Sequence, residues 1–327
     1  MLDIAVIGAG RIGQIHARNI ADHPGARLAG IIDPVPEAAA RLAAACGAPV
    51  ITLDQAFAAS AIVIGSPTPT HADYIERAAR AGRAVFCEKP VDLSAERVRA
   101  CLAVVKSAGT ALMVGFNRRF DPHFASLKRR LDGGEIGDLE LLTIISRDPS
   151  PPPPSYVATS GGLFRDMMIH DLDMARFLLE EEPIEVFAAA SCLVDAGIAA
   201  AGDVDTAVVT LRTASGKLCQ ISNSRRATYG YDQRIEAHGA RGLLRAGNVT
   251  STTVELANAS GFSTDPALPF FLERYAAAYR AELDAFITAV TAGRAPRPDG
   301  ADGLRALLVL ADAATASART HMPVSLS

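Results

Sequence analysis

The sequence predicts a two-domain α/β chain: a parallel, helix-flanked sheet at the N-terminus, then an α/β domain built on a large, mostly antiparallel sheet. Three observations predict it. Across residues 1–120, short apolar runs alternate with amphipathic helical stretches, the pattern of repeated βαβ units. A glycine-rich turn, Gly8-Ala9-Gly10-Arg11-Ile12-Gly13, stands between the first such strand and the first helix. Beyond Pro183, strand-like segments succeed one another with only short turn signals between them. The chain has 327 residues, 49% of them hydrophobic, more than one small core requires. The expected domains are residues 1–120 and 121–327.

In the first domain, buried strands are expected at residues 3–7, 27–32, 61–64, 84–87 and 111–114. Helices are expected between them at 12–21, 37–45, 71–81 and 95–108. The second domain opens with a helix at 122–131, which leads through Asp132-Gly133-Gly134 into a strand at 139–147. Pro149 and Pro151 to Pro154 predict an extended loop, since proline suits neither a helix interior nor a central strand. Gly161-Gly162 precedes one long helix over 163–179. Strands follow at 185–194, 206–212, 217–224, 233–238, 242–245 and 252–256. Two helices, at 272–291 and 300–318, close the chain.

Composition narrows the function. Net charge is −4 and no basic, aromatic-interleaved cluster occurs, which argues against a nucleic-acid partner. No apolar run approaches a membrane span. The N-terminus enters a strand pattern at Ile4 without a charged leader and apolar stretch, so no secretion signal is expected. The five cysteines are odd in number, widely spaced and set among apolar neighbours. Buried free thiols in a reducing cytoplasm are the expectation, and no CxxC pair suggests zinc.

The turn at residues 8–13 follows a strand and opens a helix, which is the context a dinucleotide site needs. Gly8 permits the tight turn, Gly10 lets a pyrophosphate approach the backbone, and Gly13 lets helix and strand pack closely. Arg11 and Ile12 lie at the helix N-terminus, whose amides and dipole favour phosphate. Asp33 ends the second strand, twenty residues beyond Gly13, where a carboxylate accepts from the adenosine ribose hydroxyls and repels a 2′-phosphate. No Arg or Lys directly follows it, so NAD is expected rather than NADP. Ser66, Thr68 and His71 follow the third of these strands at the carboxyl edge of the sheet, where ligands of such folds bind, although Thr70 and His71 also suit a helix start.

Glu88-Lys89-Pro90 follows the next strand at the same edge. There the Lys89 ammonium can bond a substrate hydroxyl and stabilise developing negative charge. In Gly161-Gly162-Leu163-Phe164-Arg165-Asp166-Met167-Met168-Ile169-His170-Asp171-Leu172-Asp173, Asp166 and His170 are four apart, hence on one face of a continuous helix. A carboxylate beside an imidazole orients it as a base for a hydroxyl proton. The rival reading is a solvated helix face carrying Arg165, Asp171 and Asp173. A metal pair is disfavoured, because no third His or Cys stands nearby.

Together these motifs resemble the glucose–fructose oxidoreductase/inositol dehydrogenase/MocA-type family, over essentially the whole chain and most of all its bacterial inositol dehydrogenase branch. The carriers are GxGRIG, Glu88-Lys89-Pro90 and the run from Gly161 to Phe177, with supporting stretches around Phe116 to Asp121, Ser146 to Pro149, Tyr229 to Arg234 and Phe270 to Tyr275. The resemblance implies a Rossmann domain followed by an α/β domain whose open sheet makes oligomer contacts, often in tetramers. It implies Lys89, Asp166 and His170 as the catalytic set, Glu88 in the cofactor crevice, and substrate contacts from Asn117, Arg118, Arg147, Asp148, Tyr229 and Tyr231. The implied reaction is NAD-dependent oxidation of myo-inositol to its 2-keto product. Other cyclitols, aldoses or sugar derivatives are the alternatives within the same chemistry, and a non-catalytic NAD-binding sensor is the alternative outside it. One departure is Met168, where related enzymes often carry Thr in a DMTIHD run; it removes a possible hydroxyl contact.

Overall fold

A computed structural model describes residues 1–326. The chain forms two compact units, Met1–Phe120 with Ala278–Leu308, and Asp121–Ala277 with Val309–Ser327. The second expected domain is therefore not continuous, because Ala278–Leu308 returns to the first unit.

Five parallel strands build the first sheet: β1 (Leu2–Ile7), β2 (Ala26–Ile32), β3 (Ala61–Ile64), β4 (Ala84–Glu88) and β5 (Leu112–Gly115). Their spatial order is β2-β1-β3-β4-β5, and a single parallel bridge between Ile31 and Val50 adds one more position outside β2. With that bridge counted as a one-residue strand, the order is that of a doubly wound dinucleotide fold. The winding reverses between β1 and β3, so the crevice at their carboxyl ends is where a ligand is expected.

Helices α1 (Arg11–Asp22), α2 (Pro36–Cys46), α3 (Leu53–Ala58), α4 (His71–Arg80) and α5 (Ala95–Ala108) connect the strands. The first, second, fourth and fifth match the sequence periodicity. Helix α3 was not expected, being too short to show a period, but Thr52 and Gln55 form a capping box at its start.

The returning segment explains its own position. It carries most of helix α12 (Ala276–Thr291), whose Leu283, Phe286 and Ile287 join Ile4, Val6, Phe86 and Met113 in one apolar cluster. Farther on, Gly300 lies so close to Leu102 that a Cβ would meet its Cδ2 at 2.2 Å. Hydrophobic burial, not chain adjacency, assigns this segment to the first core.

The second unit is built on a seven-stranded sheet of β6 (Leu139–Arg147), β7 (Pro183–Ser191), β8 (Thr206–Thr213), β9 (Leu218–Ser224), β10 (Asp232–Gly239), β11 (Gly242–Ala246) and β14 (Val324–Ser325). The order is β11-β10-β6-β9-β8-β7-β14; β6 and β9 pair in parallel and the other pairs are antiparallel. Helices α9 (Ile169–Leu179) and α14 (Asp312–Thr320) pack on it, against β6 and β7 respectively. Leu141, Phe187, Val208, Leu218 and Leu243 lie exposed on the sheet, and the strand registers place them on one face.

Four local expectations for this unit are corrected. The strand expected to reach residue 194 ends at Ser191, because Asp205 captures the amides of Leu193, Val194 and Asp195. The strand expected at 252–256 lies at Glu255–Asn258 and pairs with Gly261–Thr264 as a separate, exposed hairpin. Within the proline-rich stretch, Pro154 opens helix α7 (Pro154–Ser160) at a first-turn position where its missing N–H costs nothing. The long helix expected at 163–179 is broken into α8 (Gly162–Asp166) and α9 (Ile169–Leu179), separated by Met167 and Met168.

Candidate active site

In the first unit, the cofactor-binding candidates are built on the β1–α1 turn. Gly8 has φ +106°, and a Cβ there would lie 2.7 Å from the backbone of Gly65 and Ser66. A Cβ on Gly13 would meet the Gly8 carbonyl oxygen at 2.0 Å, so α1 can approach its own turn only through glycine. Gly10 differs from both, having nothing within 4 Å of the position a Cβ would take. Two glycines therefore serve packing, and the third leaves open space beside a helix N-terminus, as a bound pyrophosphate requires. Gly10 is the N-cap of α1, Arg11 stands exposed at its first position and Ile12 is half-buried. Asp33 Oδ2 accepts from Ala9 N at 2.7 Å and Oδ1 from Val35 N at 2.8 Å, which ties the ribose-binding candidate to the glycine turn. These residues fit a bound dinucleotide.

At the β3 edge, Ser66 and Thr68 are half-buried, and Ser66 Oγ shares a 2.6 Å hydrogen bond with Thr70 Oγ1. His71 departs from expectation. It is 1% exposed, with Nδ1 2.8 Å from the Pro90 carbonyl and Nε2 2.7 Å from the Ser66 carbonyl. Both ring nitrogens are engaged in tying the β3 loop to the loop after β4, so His71 positions these loops from within and does not present a ring nitrogen to a ligand. Glu88 ends β4, with Oε1 2.6 Å from His16 Nε2, and half-buried Lys89 follows it. Asn117 and Arg118 lie in the one-turn helix Asn117–Phe120 after β5, 3% and 5% exposed.

The second unit holds the other candidate residues. Gly161 and Gly162 have φ of +89° and +82°, and a Cβ on Gly162 would meet Asp203 Oδ1 at 2.6 Å. That space admits the Asp203 carboxylate, which accepts from Leu163 N at 3.0 Å and fixes the start of α8. The Met168 amide reaches back to Leu163 O at 2.9 Å, a wider turn than an α-helix makes. Met167, Met168 and Ile169 are buried while Asp166 and His170 are partly exposed. The expectation of a continuous helix beneath Asp166 and His170 is thus wrong, and a break now separates them. Met168 is fully buried, so its side chain belongs to the core.

The solvated-face rival also fails. Asp171 and Asp173 are 0% and 1% exposed. Asp171 Oδ1 accepts from Ser146 Oγ at 2.5 Å on β6, and Oδ2 accepts from Asn223 Nδ2 at 2.9 Å on β9. The residue after His170 is therefore bolted to the centre of the sheet. Asp166 receives the Tyr156 hydroxyl at 3.0 Å, and the Arg225 Nη2 atom lies 3.8 Å from its carboxylate. Burial and the Asp166 charge push the Tyr156 phenol well up, so it remains a donor.

Sequence reasoning missed Tyr156, Arg225, Asp203 and the Ser146–Asp171–Asn223 network. Only the His-Asp-x-Asp run hinted at any of them.

Of the expected substrate contacts, Arg147 and Tyr229 come together: Arg147 Nη1 donates to Tyr229 Oη at 2.9 Å, and Tyr229 Oη donates to Asp232 Oδ2 at 2.7 Å. Burial alone would raise the Asp232 carboxyl, but Arg234, Tyr229 and Asn248 hold it below its usual range. Asp148 is half-buried beside Arg147, its amide bonded to Ser224 O at 2.9 Å. Tyr231 is 6% exposed and packs edge-on against Phe270 and Tyr275, each ring centroid 6.0 Å away. It contributes to the core rather than standing beside Tyr229 on a sheet face, since β10 begins only at Asp232.

Residues 2–116 match the oxidoreductase family with an NAD-binding Rossmann fold, and residues 124–245 match the GFO/IDH/MocA C-terminal domain. An inositol 2-dehydrogenase of Rhizobium meliloti is 53% identical over 325 residues, covering 98% of both chains. The chain belongs to the GFO/IDH/MocA oxidoreductase family. A crystal structure of a myo-inositol dehydrogenase from Corynebacterium glutamicum superposes with a TM-score of 0.96 at 49% identity, covering 100% of this chain and 99% of that one. The Lactobacillus casei scyllo-inositol dehydrogenase, solved with NAD(H) and scyllo-inositol, gives a TM-score of 0.91 at 30% identity and covers 99% of each chain. The cofactor of this GFO/IDH/MocA oxidoreductase is NAD.

Proposed function

We propose that this enzyme oxidises myo-inositol with NAD to 2-keto-myo-inositol (scyllo-inosose). The observation that carries the substrate is the 53% identity to an inositol 2-dehydrogenase across 98% of both chains. Lys89, Asp166 and His170 are the residues to which we assign the chemistry. Bound NAD supplies the hydride-accepting chemistry. His170, on α9 held by the buried Asp171, accepts the proton of the reacting hydroxyl, and Asp166 supports the imidazolium that results. The Lys89 ammonium bonds the reacting oxygen as negative charge develops on it. Asn117, Arg118, Arg147, Asp148 and Tyr229 are the ring-hydroxyl contacts in this reading, and Gly8, Gly10, Arg11, Ile12, Gly13, Asp33, Ser66, Thr68 and Glu88 line the cofactor.

A panel of cyclitols and aldoses with NAD and NADP tests the proposal. Fastest NADH formation is expected with myo-inositol; turnover of an aldose without turnover of myo-inositol overturns the substrate.

We also infer a homo-oligomer, a tetramer by family resemblance, associating through the sheet face that carries Leu141, Phe187, Val208, Leu218 and Leu243. A lone chain rarely leaves so many large apolar side chains together in water. Leu218→Arg is expected to reduce the mass measured by light scattering. A reducing, cytoplasmic setting fits the five free thiols, three buried and two half-buried. Among the described residues no helix is long and apolar enough to cross a membrane.

A further inference from the structure

Behind the carboxyl end of β4, His16 and Glu282, which the mechanism above does not use, cluster with Glu88. His16 from α1 is 0% exposed and contacts Glu88, which is 9% exposed, at 2.6 Å. Glu282 from α12 is also 0% exposed, and one ligand-type atom from each of the three residues lies within 4.8 Å of the others. The His16 ring is walled by Phe86 and Tyr279, with centroids 4.9 and 5.9 Å away. Both Glu282 carboxyl oxygens and His16 Nδ1 are buried without a hydrogen-bond partner. A Cβ on Gly115 would come within 3.0 Å of Glu88 Oε2, so glycine at the end of β5 leaves the room this carboxylate occupies.

Charge arithmetic decides what such a cluster holds. Two carboxylates and one imidazolium leave a net negative charge in a dry interior, which is strongly disfavoured. One additional proton brings the cluster to zero, as a His16–Glu88 ion pair beside a neutral Glu282 acid. A shared divalent cation would also balance the charge. However, two ligand atoms bound to one such ion at about 2.0–2.2 Å in tetrahedral geometry stand roughly 3.3 Å apart, whereas His16 and Glu88 are in direct hydrogen-bond contact. The geometry therefore favours the proton.

We propose that Glu282 and His16 are positioning residues, a buried carboxyl–imidazole–carboxylate relay that holds Glu88, and with it the adjoining Lys89, at the carboxyl edge of the first sheet. The proposal rests on the reading of Lys89 as catalytic. Glu88 from β4 and His16 from α1 face Glu282, with Tyr279 of its own helix against the His16 ring. Burial and the neighbouring Glu88 push the Glu282 carboxyl well up, which favours a proton on Glu282. Losing it restores the uncompensated charge behind Glu88, loosens the β4 end and lowers turnover.

The test is the pH dependence of kcat/KM for polyol oxidation in the full-length protein with saturating NAD, for wild type, Glu282→Gln, Glu282→Ala, His16→Ala and Lys89→Ala. Glu282→Gln cannot ionise, so the ionisation that Glu282 contributes is expected to vanish from its profile, and it should retain more activity than Glu282→Ala. Displacing the Lys89 segment should reduce kcat on the order of tenfold to a hundredfold in Glu282→Ala and His16→Ala, with a smaller change in KM for the polyol. A Glu282→Gln profile identical to wild type overturns the relay, and this arm decides even if His16→Ala fails to fold. Stoichiometric divalent metal in the purified protein, lost in Glu282→Gln, also overturns it. If Lys89→Ala keeps full activity, the underlying site reading fails. If Lys89→Ala is inactive while Glu282→Gln shows the wild-type profile, only the relay fails.

Discussion

The glycine turn of the first unit and the Asp166–His170 segment of the second make their sites in opposite ways. The turn at residues 8–13 works through backbone: two glycines allow close packing, a third leaves space, and one carboxylate, Asp33, braces the result. Its instructions are local, and six consecutive residues carry most of them. The Asp166–His170 segment works through side chains whose supports come from Ser146, Tyr156, Asp203, Asn223 and Arg225, spread over 80 positions of sequence. A local site tolerates reasoning from a motif. A distributed one is legible only as residue types whose partners are unknown.

Four variants probe that contrast. His170→Ala should cause the largest loss, about 10²- to 10⁴-fold in kcat, with NADH affinity by fluorescence titration unchanged; undiminished turnover removes His170 from the mechanism. Asp171→Ala should come next. It removes the carboxylate acceptor of the Ser146 hydroxyl and the Asn223 amide, which keep Gln233 Oε1 at 3.0 Å and Ser146 O at 3.4 Å respectively, at a cost of about 1–3 kcal/mol in urea unfolding, and it should lower kcat because the residue after His170 loses its anchor. If stability falls and kcat does not, the network supports the fold alone.

Gly13→Ala is the corresponding break in the local site. Its Cβ would collide with the Gly8 carbonyl, and KM for NAD should rise about tenfold, the equivalent of ~1.4 kcal/mol, with little change in KM for the polyol. Equal rises in both would show that the turn does more than bind the cofactor.

The smallest effect concerns the loop next to Asp203. Burial alone would raise the Asp205 carboxyl, but the amides of Leu193, Val194 and Asp195 and the Cys192 thiol bring it to about 2 from an ordinary 3.8. A carboxyl lowered in the folded state stabilises fully above its unfolded value and loses that contribution as pH falls through its folded value. The gap in urea midpoint between wild type and Asp205→Asn should therefore narrow as the pH falls from about 4 to about 2. A constant gap would mean that Asp205 acts by shape alone.

The first sheet was readable because both faces of its strands are buried over most of their length, which makes each strand a largely apolar run, and because most of its helices are long enough to show a period. Helix α3 and the one-residue strand at Val50 were not readable, being shorter than any period. The broken helix at Met167-Met168 was hidden for a different reason. Both sides of the break are apolar or helix-forming, and the widened turn is decided by contacts to Leu163 and by the burial of both methionines.

By itself, the sequence determined the doubly wound domain and its glycine turn, and it singled out the acid at position 33 with Lys89, Asp166 and His170 as candidates, because each is encoded by residues adjacent in the chain or by the end of one strand. Tertiary structure alone decided that His71 faces inward, that Asp171 is an anchor and not a surface charge, that Met168 is core, and that Ala278–Leu308 belongs with the first unit. It also brought Glu282 to Glu88. Each of these outcomes depends on which surfaces are removed from water together, and burial is a property of the folded neighbourhood that no local pattern contains.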